Sequence, residues 1–127
     1  MRRPHSLAEV AAWTRRDSGD FSFHVKEFLD QFYSERRAEM FRDEPPRLAG
    51  VITEGEVKDA YLAAVAVSLA RLLKVPPPAW AWDESRKLRS PWFASRGAAI
   101  RATLLLESPT PFRERNLFVS ENALSRA

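Results

Sequence analysis

Two histidines, His5 and His24, are the side chains best suited to acid–base work near neutral pH. His5 lies in residues 1–5, a tail expected to be mobile. His24 falls among Phe21, Phe23 and Phe28 on a helix-like stretch. A zinc-type site needs three or four ligands, and no third one accompanies His24, so a structural role is expected for it. Asp43 followed by Glu56-Val57-Lys58 has the order of an Asp and Glu-x-Lys nuclease site. In such a site two carboxylates hold Mg²⁺ and a lysine orients the attacking water. Here the pair opens a helix, where acids have a capping reason to be. No Gly-x-Ser-x-Gly, Ser-x-x-Lys, paired-histidine or glycine-rich phosphate motif occurs. The expectation is a protein that is not an enzyme and has no cofactor, metal or catalytic residue.

Charge offers the next chemistry. Residues 1–82 carry twelve Lys or Arg against twelve Asp or Glu, and residues 83–127 carry eight against five, so the net charge of +3 arises at the C-terminal end. Arg86, Lys87, Arg89, Arg96 and Arg101 fall in one run without an acid, interleaved with Trp92 and Phe93. Cations and aromatics together can hold phosphates and stack bases, so this run is the candidate nucleic-acid contact. The competing reading makes Trp92 and Phe93 core anchors with a solvated arginine rim, and it is preferred because a small bundle needs its aromatics inside. Glu107–Ser120 compresses prolines, paired arginines and alternating apolar residues into one short stretch. Its Arg113, Arg115, Asn116 and Phe118, together with Trp80 and Trp92, are the candidate partner contacts. An internal role competes here too, with Phe112, Leu117, Phe118 and Val119 sealing the bundle and Arg115 pairing with Glu107 or Glu114.

Several helices must position these groups. Ser6-Leu-Ala-Glu9 has capping-box spacing and predicts a first helix to about Arg16. Phe21, Val25, Phe28, Leu29 and Phe32 recur at helical spacing, predicting a second from Phe21 to about Phe41, before Pro45-Pro46. Residues 54–74 open with acids, close with Arg71 and Lys74, and are apolar around most of their circumference, which predicts a buried central helix. Val75-Pro-Pro-Pro-Ala-Trp-Ala-Trp82 then stops it along an extended, polyproline-like path. A fourth helix is expected from about Arg96 to Glu107. Thr110-Pro111 starts a short helical turn, and Ser120 caps a last helix from Glu121 to Arg126. Strand signals are weak.

At 127 residues with 45% apolar composition, the chain fits one domain, residues 1–127, with an all-α fold. Four to six helices should pack as a bundle around a Pro/Trp-rich connector. There is no cysteine, so disulfide and thiolate chemistry are excluded. The basic start lacks an apolar run behind it, and the longest mostly apolar run, Ala60 to Ala70, is about half of the roughly 20 residues a membrane span requires. A cytoplasmic location away from membranes is expected.

From about residue 60 onward, the alanine-rich helix Ala60–Lys74, its exit Val75-Pro-Pro-Pro-Ala-Trp80, the Pro91-Trp-Phe93 step and Ser108–Ser120 followed by Leu124 resemble a group of small, uncharacterised bacterial helical proteins. Those proteins resemble the partner encoded beside nucleotidyltransferase-like genes in toxin–antitoxin pairs. The resemblance covers the C-terminal half and carries no site to transfer. It implies a protein that binds and regulates a cognate enzyme, antitoxin-like; the alternative, which the basic run 86–101 supplies, is a nucleic-acid-binding regulator.

Overall fold

The computed structural model describes residues 2–17, 19–94 and 97–125. Its architecture is all-α with one two-residue parallel ladder. Helix α1, Leu7–Arg16, begins where Ser6 Oγ accepts from the Glu9 amide at 3.1 Å. The Glu9 carboxylate returns to the His5 amide at 2.8 Å, one residue earlier than in the usual capping box. Helix α2, Phe21–Glu35, packs on α1 and buries Phe21, Val25, Phe28, Leu29 and Phe32, the residues its periodicity selects.

Helix α2 ends six residues before the sequence places its end, because Arg36 enters the left-handed region at φ 50° and its amide bonds back to Phe32 O. The chain continues as a 3₁₀ turn, Ala38–Phe41, which brings Met40 and Phe41 into the core. Helix α3, Gly55–Leu73, is the central helix. Ala60, Leu62 to Val67, Leu69 and Ala70 are all buried, so its alanines let the surrounding elements approach from every side. Lys74 closes it at φ 58°, and its amide and that of Val75 bond to Arg71 O and Ala70 O, a Schellman motif followed by Pro76.

The segment before α3 is fastened by two residues one helical turn apart. Asp59 is fully buried and its two oxygens accept from the Leu48 and Ala49 amides at 2.8 and 3.0 Å. Gly55 allows the contact, since a Cβ there would lie 1.9 Å from Leu48 O.

After α3 the prolines hold an extended path, but Ala79–Trp82 coils into a 3₁₀ turn, and a second, Glu84–Arg86, follows. Strand β1 (Trp92–Phe93) pairs in parallel with β2 (Leu117–Phe118), bracketing α4 (Ala98–Glu107) and the single turn α5 (Thr110–Arg113). Pro109, not Thr110, takes the N-cap position of α5. The expected last helix is replaced by turns over residues 121–124. There Ala123 and Leu124 pack on the core, and Tyr33 Oη donates to Leu124 O at 2.9 Å. Among the described residues no helix is long and apolar enough to cross a membrane.

Candidate partner-binding surface

The Pro/Trp connector is held from inside by two arginines. Arg86 is fully buried, with its guanidinium 4.8 Å from the Trp80 ring centroid. Its Nη atoms donate to Asp59 O at 3.2 Å, Pro45 O at 2.7 Å and Glu44 Oε2 at 3.2 Å. Arg115 is also fully buried and lies 5.2 Å from the Trp82 ring, donating to Pro111 O and Ala81 O, each at 2.8 Å. Burial is the main force lowering both guanidinium pKa values from their ordinary level. At Arg86 the neighbouring Arg47 adds to this and Glu44 and Asp59 oppose it, whereas at Arg115 Glu114 opposes it.

Two expectations are thereby corrected. Arg115 neither faces a partner nor pairs with Glu107 or Glu114; it satisfies backbone carbonyls that the turns of the connector and α5 leave open. Arg86, the first cation of the proposed nucleic-acid run, has no surface to offer a phosphate. Of the others, Lys87 pairs with Glu84 at 3.3 Å, Arg89 is exposed, and Arg101 lies 5.1 Å from the Phe93 ring. Arg96 lies outside the described residues. The run is therefore not a single basic face.

Of the remaining candidates, Trp92 and Phe118 belong to the β1–β2 ladder and Asn116 adjoins it. Trp80 is half-buried and its Nε1 donates to Phe41 O and Arg42 O at 3.2 and 3.1 Å, which makes it a brace for the 3₁₀ turn. Trp92 Nε1 donates to Glu54 Oε2 at 3.0 Å. Asn116, at φ 63°, donates from Nδ2 to Leu88 O at 2.7 Å. Phe118 stacks on Phe93 at 5.0 Å and 20°, so Arg101, Phe93 and Phe118 form one continuous layer. Arg113 is exposed and donates within its own turn to Thr110 Oγ1 at 3.2 Å. Ser108 fixes the strand beneath, donating to Leu117 O and accepting from the Val119 amide. Glu56 and Lys58 sit near the start of α3, with Lys58 Nζ on Thr53 O at 2.8 Å, a helix-entry role in place of a strand-edge nuclease site.

The exposed apolar residues of α4 are not among the candidates that residue type alone selects. Leu104 is buried on the inner side, while Ile100, Leu105 and Leu106 are 50%, 48% and 85% exposed. A signal was present in Leu104-Leu-Leu106, since three successive leucines cannot all face one core when each residue rotates about 100° around a helix. A groove of about 700 Å³ opens near the ladder, lined among others by Val25, Lys26, Lys58, Tyr61, Trp92 and Val119. Burial raises the Tyr61 pKa within it.

At the corner between α1 and α2, Asp17 and Asp20 come beside His24, so His24 does have neighbouring ligands. Comparison with known proteins adds no further guide, as no family, curated protein or solved structure matches the chain.

Proposed function

We propose that the chain is a non-enzymatic interaction protein that docks a cognate protein across α4, in the manner of an antitoxin-like partner of a nucleotidyltransferase-type enzyme. The observation that carries the reading is Leu106, 85% exposed, on a ten-residue helix whose Leu105 and Ile100 are half-exposed at other angles around its axis. Large apolar side chains left in water at this level support an interaction role, because burying them on docking is favourable. Arg101 on the same helix and Arg113 on the following turn are exposed as well. They favour a partner with an apolar patch and an acidic rim, and carboxylates that hold Mg²⁺ in a nucleotidyltransferase supply such a rim.

The nucleic-acid alternative loses support with the burial of Arg86. Co-expression with the product of the adjoining gene tests the proposal. Wild-type chain should co-purify with that protein and suppress its activity. Unchanged activity at saturating chain, or association of α4 only with a second copy of this chain, overturns the reading.

A further inference from the structure

Helices α1 and α2 meet at a corner where three metal-binding side chains converge. Asp17 caps the C-terminus of α1, and Asp20 occupies the N-cap of α2 without a side-chain capping bond. The Asp20 amide bonds to Asp17 O, and the His24 amide bonds to Asp20 O, both at 2.9 Å, so the backbone sets all three residues in one register. One ligand atom from each lies within 4.8 Å of the other two. The two carboxylates are exposed, whereas His24 is only 7% exposed. Its ring is held edge-on by Trp13 at 5.7 Å and Phe23 at 5.9 Å, and its Nε2 is buried with no hydrogen-bond partner.

A buried imidazole nitrogen without a partner costs free energy unless something satisfies it. Asp17 and Asp20 each bring a carboxylate oxygen within 4.8 Å of one nitrogen of this ring, and supply the charge and ligand atoms that a cation needs. The geometry points to a divalent-cation site formed by Asp17, Asp20 and His24, with Zn²⁺ or a similar first-row ion as its occupant. An imidazole in the donor set favours such ions over Mg²⁺ or Ca²⁺, which prefer oxygen alone. Tetrahedral Zn²⁺ with bonds of about 2.0–2.1 Å sets its ligand atoms roughly 3.3 Å apart. Rotation of the exposed carboxylates toward the fixed imidazole closes the difference. Three protein ligands leave one position for water, and the bound ion ties the end of α1 to the start of α2.

Calorimetric titration of the full chain with Zn²⁺, repeated with Co²⁺ followed by its visible absorption, tests the site. One ion should bind per chain. Asp17→Asn and Asp20→Asn should each weaken binding by at least about tenfold, since even supporting residues around a metal contribute that much. Asparagine caps a helix as well as aspartate, so Asp20→Asn should keep the native circular dichroism. His5→Ala and Asp43→Asn, both away from the corner, should bind as wild type. Failure of wild type to take up Zn²⁺, equal affinity in Asp17→Asn and Asp20→Asn, or displacement of Zn²⁺ by equimolar Mg²⁺ overturns the proposal.

Discussion

The Arg115 guanidinium lies over the Trp82 ring at 5.2 Å while reaching past it to Ala81 O, so a buried cation holds the connector to the C-terminal turn. Arg86 and Trp80 repeat the arrangement at 4.8 Å. Each tryptophan thus presents one face to a charge that the fold has taken out of water, and burial of that charge is offset by hydrogen bonds to carbonyls and by the ring.

Arg115→Ala should therefore destabilise the protein by about 2–4 kcal/mol, because Pro111 O and Ala81 O lose their donor and a cavity opens beneath Trp82. Urea unfolding followed by fluorescence measures it. Wild-type stability in this variant would place Arg115 at the surface, contrary to the packing described.

Gly55→Ala should cost about 3 kcal/mol, at the upper end for overpacking. The added methyl would sit 1.9 Å from Leu48 O, and Asp59 holds that same segment through the Leu48 and Ala49 amides, so the backbone cannot give way cheaply. Thermal unfolding of the variant provides the check, and an unchanged midpoint would contradict the close approach.

What was legible in the sequence is the part governed by local rules. Ser6 and Glu9 marked the start of α1, and the apolar circumference of residues 60–70 marked α3 as central. The end of α2 was not legible, since Arg36 has no chemical preference for φ 50° and adopts it because Met40 and Phe41 must return to the core. Arg86 and Arg115 were misplaced for a related reason. Their type favours the surface, and only the folded backbone reveals the open carbonyls they serve. Asp17 and Asp20 are residue types common in turns, and their meeting with His24 depends on the angle between two helices.

Stability should fall at alkaline pH in part through Tyr61. Burial raises its pKa, so the folded state holds the phenol proton more tightly than the unfolded chain. The resulting stabilisation is complete below the ordinary phenol value of about 10 and is lost as pH rises from there through the folded value. Tyr61→Phe should flatten this decline while leaving neutral-pH stability nearly unchanged. Tyr33 is shifted in the same direction and should leave a residual slope. An alkaline profile identical to wild type in Tyr61→Phe would contradict the assignment.

The proposed docking through α4 rests on Leu106, the most exposed large apolar residue among those described. Leu106→Glu removes that apolar contact without disturbing the core, so the variant's thermal midpoint should match wild type. Calorimetric titration of both forms into the purified product of the adjoining gene is the most direct measurement. Binding by wild type with at least about tenfold weaker binding by Leu106→Glu, a loss of about 1.4 kcal/mol or more, is the expected result. Equal affinity of the two forms would contradict docking through α4.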